Sequence, residues 1–144
     1  MQTVVQTMPI STKAIWVGRV MSGLVILFLL FDGAIKLIPL DVVVETSAQL
    51  GIPGNLARTL GILTLVCTLL YAIPKTSVLG AILLTGYLGG AIATQLRVGS
   101  PLFTHLLFGA YLGLMAWGGL YLRDARLRAL IPLRRDRALS APND

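Results

Sequence analysis

Residues 20–31 read VMSGLVILFLLF, a run without a charge, bounded by Arg19 on one side and by Asp32 and Lys36 on the other. A helix needs about 20 predominantly apolar residues to cross a bilayer. The apolar character extends outward from this core to Ala14 and Ile38. A crossing helix over 14–38 therefore carries Arg19, Asp32 and Lys36 partly inside it. Pro39 ends such a helix, because its ring cannot continue the backbone pattern.

The rest of the chain agrees with lipid as the solvent. Of 144 residues, 56% are hydrophobic and only 12% are charged, where a soluble domain usually carries about 25%. The mean hydropathy is +0.82. A soluble helical bundle would need a polar stripe along each helix. The apolar stretches after the first show none, so the expected class is all-α and membrane-embedded.

Three further spans are predicted. The second covers about 56–73 and stops at Pro74. The third covers 77–96, after the tight turn Pro74-Lys75-Thr76, and the fourth covers 102–122, after Arg97-Val98-Gly99-Ser100-Pro101. Short connections make neighbouring spans antiparallel. The longest connection, 39–55, holds Asp41 and Glu45, and its Val42–Leu50 stretch suits a short interfacial helix. The organisation is thus a polar lead over 1–13, a four-transmembrane-helix bundle over 14–122 and a basic tail over 123–144. The tail begins RDARLRALIPLRRDR; its apolar residues recur at helical spacing between arginines, as in a basic interfacial helix. Residues 138–144 read as disordered.

Charge sets the expected orientation. The net charge is +6, and six of the twelve Lys and Arg residues lie between Arg123 and Arg137. A basic tail directly after an apolar span fits the cytoplasmic face of a membrane rather than a nucleic-acid groove. Lys75 is basic too, whereas 39–55 has no Lys or Arg. Both termini are therefore expected in the cytoplasm, in the cell (inner) membrane, with Arg97 the one residue at odds with that orientation. Trp16, Tyr71, Trp117 and Tyr121 then form an aromatic belt at the inner interface.

Burial alone does not join helices in lipid, so small residues that allow close approach must help. Gly18-x-x-x-Ser22, Gly86-x-x-x-Gly90 and Gly109-x-x-x-Gly113 are the candidates, read here as contacts within the bundle. The polar residues fall at one depth: Asp32 and Lys36 late in the first span, Arg58 early in the second, Thr94 and Gln95 late in the third, Thr104 and His105 early in the fourth. Asp32 sits roughly 9 Å inside the end of its helix. Lys36 lies one turn further on and can neutralise it. A lone charge at the bilayer centre is costly, about 2.5–3.5 kcal/mol on insertion scales, and such residues are functional candidates by default. Asp32, Lys36, Arg58, Gln95 and His105 are expected to form a polar substrate-binding pocket near the outer face. No catalytic residue is assigned.

Other chemistries lack their residues. One His and one Cys, Cys67, make neither a zinc site nor an intramolecular disulfide. No phosphate loop, GxSxG elbow or dinucleotide glycine pattern occurs.

Three stretches carry a resemblance: GRVMSGLVILFLLFDGAIKLI (18–38), IPKTSVLGAILLTGYLGGAIATQLRVGSP (73–101) and WGGLYLRDARLRALIP (117–132). Together they resemble the DoxX-like family of small bacterial membrane proteins, over about residues 15–132. The resemblance implies a four-helix membrane bundle. The family's namesake is a subunit of a thiosulfate:quinone oxidoreductase, and some relatives are linked to redox or oxidative-stress complexes. No family residues are carried across, and the chain lacks the cysteine pair of thiol-redox membrane relatives. The implied role is a redox-associated accessory that binds a quinone-like lipophilic molecule at the outer polar pocket or docks a soluble oxidoreductase. The alternatives are a non-catalytic small-solute binding or transport module and a structural subunit of a membrane complex. No independent enzymatic activity is expected; any chemistry would be that of a membrane oxidoreductase component.

Overall fold

The computed structural model describes residues 11–38, 40–101, 103–104 and 107–131. The expectations for most of the polar lead, for His105 and for the tail beyond Ile131 lie outside these residues. Among the described residues six helices follow in order: α1 (Thr12–Leu37), α2 (Asp41–Gln49), α3 (Gly54–Ala72), α4 (Ser77–Arg97), α5 (Leu107–Arg123) and α6 (Ala125–Leu130). Among the described residues no strand occurs.

The helix ends follow local chemistry. α1 starts two residues before the expected Ala14, because the Ser11 hydroxyl accepts from the Ala14 amide at 3.3 Å. It stops at Leu37 since Ile38, the residue before a proline, adopts extended backbone (φ −96°, ψ 129°). Ile73, before Pro74, ends α3 in the same way (φ −79°, ψ 122°). α2 and α4 instead end on Gly51 and Gly99, with φ of 69° and 71°. Behind each glycine an amide reaches back five residues, Ile52 to the Ser47 carbonyl and Ser100 to that of Gln95. That closes the helix ends with a left-handed glycine.

Helices α1, α3 and α4 are long and apolar enough to cross a membrane. Where a fourth span is expected stands α5, whose described length is 17 residues. That is about 26 Å at 1.5 Å per residue, short of the roughly 30 Å hydrocarbon core. The four long helices close a cycle: α1 packs on α3 and α5, α3 on α4, and α4 on α5. α2 rests on α3, and α6 on α5.

The core of this cycle holds Val25, Leu29, Leu84 and Leu120, all nearly inaccessible. Many large apolar side chains point outward, including Leu27, Phe31 and Leu114, as a lipid-facing surface requires. Threonines within the helices satisfy themselves: Thr64, Thr68, Thr85 and Thr94 each donate to the carbonyl four residues earlier, at 2.7–2.9 Å. No hydroxyl proton is left facing hydrocarbon by these residues.

Two glycine contacts bring backbones together. A Cβ on Gly119 would stand 2.6 Å from Ser22 Oγ and 3.0 Å from the Gly18 carbonyl oxygen, which joins α1 to α5. A Cβ on Gly80 would stand 2.2 Å from the Tyr71 nitrogen, which joins α4 to α3. The expected Gly86-x-x-x-Gly90 contact does not form among the described residues: a Cβ at either position meets none of them within 4 Å. Helical spacing aligns these glycines on one face, but it does not determine what lies opposite.

Tyr71 also departs from the expected aromatic belt. It is fully buried and lies in a directed hydrogen-bond chain. Arg123 Nε donates to Ser22 Oγ (3.1 Å), Ser22 Oγ lies 2.9 Å from Tyr71 Oη, and Tyr71 Oη donates to the Ala116 carbonyl (2.6 Å). A guanidinium only donates and a carbonyl only accepts, so Ser22 must be the donor to Tyr71. The chain stitches α1, α3 and α5 together. Arg123 also lies over the Tyr71 ring, 5.6 Å from its centroid. Nearby, Arg128 donates to the carbonyls of Tyr121 (2.7 Å) and Leu122 (3.2 Å), closing the end of α5.

Candidate functional site

The late turns of α1, the first half of α3 and the second half of α4 border a half-open cavity of about 620 Å³. α2 covers it with Val42, Val43, Thr46 and Ser47, and α5 closes one side with Phe108, Gly109 and Leu112. Phe108 meets Phe28 edge to face, with centroids 5.0 Å apart. Such a volume lies within the range of about 300–1,000 Å³ typical of small-molecule sites. The wall is mostly apolar, and its polar side chains include Asp32, Lys36, Tyr87 and Gln95.

Lys36 organises the polar part. Its Nζ donates to Asp32 Oδ2 at 2.5 Å and to Tyr87 Oη at 2.9 Å. It lies 5.6 Å from the centroid of the Tyr87 ring. Asp32 and Lys36 make the one ion pair among the described residues, with side chains 30% and 26% exposed. Their spacing puts them on one helix face, one turn apart. The pair is neutral as a unit, so the cavity wall carries hydrogen-bonding capacity without net charge from it. Tyr87 Oη accepts from Lys36, and its own proton has no acceptor among the described residues.

Three of the five expected site residues therefore line one cavity: Asp32, Lys36 and Gln95. Gln95 is held by Ser100, whose hydroxyl donates to Oε1 at 2.5 Å. Arg58 does not line this cavity. It lines an adjoining cavity of about 320 Å³, with Asn55, Val44 and Lys36. His105 lies outside the described residues. Arg97, the residue at odds with the charge-based orientation, donates from Nη2 to the Leu50 carbonyl at 2.9 Å. It thereby ties the end of α4 to the turn after α2, beside the cavity.

Sequence reading missed Tyr87. An aromatic residue inside an apolar run reads as core or lipid-facing. The available signal was its hydroxyl, which a buried tyrosine normally satisfies with a partner. Gly86 and Gly90 were read as helix contacts but line the cavity. No metal-binding group of three or more His, Cys, Asp or Glu residues occurs among the described residues.

The chain matches no curated protein and no solved structure. The DoxX-like family matches it over residues 20–119, more than half its length. With three helices able to cross a bilayer and that match running from within α1 to within α5, the chain belongs to the DoxX-like family and is a multi-pass membrane protein.

Proposed function

We propose that this protein is a redox-associated accessory of the cell membrane that binds a quinone-like lipophile, its head against Lys36 and Tyr87 and its tail in the 620 Å³ cavity. The observation that carries the reading is a neutral, donor-rich corner within an apolar chamber. A quinone head is a neutral acceptor of hydrogen bonds. Tyr87 has a proton to give, and the Lys36 ammonium has three N–H groups of which two are engaged. Asp32 cancels the lysine charge, which suits a neutral guest. Gln95 supplies a further polar contact on the α4 side of the same chamber, and Arg58 lines the adjoining cavity.

Four crossings with antiparallel neighbours underlie this reading. In support, the start of α1 meets the end of α5 at Gly18 and Gly119, while the end of α1 meets the start of α3 at Gly33 and Gly61. Lys13, Arg19, Lys75, Arg126 and Arg128 then gather at one end, and Asp41 and Glu45 stand at the other with Arg58 and Arg97. That asymmetry supports cytoplasmic termini and an interfacial, basic α6. A soluble oxidoreductase or a membrane complex is the partner such an accessory would serve.

The test is calorimetric titration of the purified protein, in phosphatidylcholine nanodiscs, with a short-chain benzoquinone. Saturable binding is expected. Tyr87→Phe removes one hydrogen bond worth about 1 kcal/mol, so affinity should fall roughly fivefold. Absence of saturable binding, or Tyr87→Phe and Lys36→Met variants that bind like the parent, overturns the proposal.

A further inference from the structure

The two cavities share a wall. Lys36, Val43 and Ala57 line both, so the 320 Å³ chamber adjoins the 620 Å³ one. Their charge differs. In the larger chamber the Lys36 ammonium is matched by Asp32. The smaller chamber adds Arg58, which makes no ion pair among the described residues, and Asn55, a neutral hydrogen-bonding group. The acids on the neighbouring α2 are Asp41 and Glu45, but the α2 residues that line this chamber are Val43 and Val44. Its wall thus carries one uncompensated positive charge next to an apolar chamber.

From this juxtaposition we infer that the smaller chamber is an anion subsite, and that the pair of chambers takes an amphiphile with an acidic head: carboxylate at Arg58, Asn55 and Lys36, apolar body in the larger cavity. The inference rests on the reading of the larger cavity as a lipophile site and adds a second class of guest, one whose charged head sits in the smaller chamber instead of a neutral head against Tyr87. Arg58 supplies a planar fork of donors that matches a carboxylate, and charge-assisted hydrogen bonds are roughly twice as strong as neutral ones. Lys36 can contribute its remaining N–H without leaving Asp32. A neutral chain-bearing alcohol of the same length fills the larger cavity equally well but offers Arg58 only a neutral acceptor, the weaker bond. The site should therefore discriminate by head charge, and the discrimination should depend on Arg58.

The test uses the full chain in phosphatidylcholine nanodiscs and two photoreactive probes, a diazirine-bearing palmitic acid and the matching alcohol. Labelled residues are mapped by mass spectrometry across a concentration series. The acid is expected to label cavity-lining positions such as Ile35 and Ala91 at concentrations at least about tenfold lower than the alcohol, as one charge-assisted bond implies. Arg58→Gln should erase that difference, and Arg58→Lys should keep most of it. Arg58 is exposed, so neither variant threatens folding. Equal labelling by acid and alcohol in the parent, or a difference that survives Arg58→Gln, overturns the anion subsite and leaves the lipophile cavity standing. If neither probe labels the cavity, the lipophile reading falls with it.

Discussion

Replacing Gly80 by alanine should loosen the α3–α4 pair, whereas the same change at Gly89 should not. At Gly80 the added Cβ would stand 2.2 Å from the Tyr71 nitrogen and 2.5 Å from its Cα. Ordinary contact begins at 3.4 Å, so the new methyl is about 1.2 Å too close to the nearest atom. The obstruction is backbone, which no rotamer change can relieve. The helices must separate there, but the turn between them is held by Thr76 Oγ1 to the Leu70 carbonyl at 2.8 Å and Ser77 Oγ to that of Ile73 at 2.9 Å. Overpacking of this kind costs about 1–3 kcal/mol, and straining one of those bonds adds about 1 kcal/mol. The helix preference of alanine over glycine returns up to about 1 kcal/mol. The net loss for Gly80→Ala is therefore roughly 1–3 kcal/mol. A Cβ at Gly89 meets nothing within 4 Å, so Gly89→Ala keeps only the helix-preference gain. Equilibrium unfolding in mixed detergent micelles, followed by the fluorescence of Trp16 and Trp117, measures both variants. If Gly80→Ala proves as stable as Gly89→Ala, close backbone contact does not hold α4 on α3.

Other features give shorter forecasts. Tyr71→Phe breaks the chain from Arg123 through Ser22 to Ala116 and should destabilise the protein by about 1–2 kcal/mol in the same unfolding assay, since buried partners are left unmatched. Arg97→Gln frees the Leu50 carbonyl and should speed amide hydrogen exchange in 41–52 at least severalfold while leaving the core helices unchanged. Cys67, 2% exposed, should react with a maleimide only when the protein unfolds; rapid labelling of the folded protein would contradict its packing.

Much of this architecture could be read from composition and order alone, because hydrocarbon leaves so little freedom. A chain with so few charges must bury its backbone polarity in helices, and prolines and glycines mark where those helices stop. Distance from the helix ends also placed Asp32, Lys36 and Gln95 at one depth, and they do line one chamber. Depth is a single coordinate, however. It could not separate Arg58, which lies at the same level in the adjoining chamber. The rotation of each helix about its own axis stayed hidden, since an apolar residue faces lipid or core with equal ease. For that reason Tyr71 was assigned to the interface when it belongs to the interior, and Tyr87 was overlooked at the site. The chain from Arg123 to Ser22 spans a separation of 101 residues, which no local pattern encodes.

The bare stretch of α4 beside the chamber has an evolutionary consequence. Gly86 and Gly90 line that wall, and neither touches another helix closely enough to resist a side chain. Alanine, serine or valine at these places would trim the chamber in small steps while the helices stay seated. Selectivity for guests of different bulk can thus drift without eroding the fold, at loci separate from Gly80 and Gly119, where any enlargement would pry the scaffold apart.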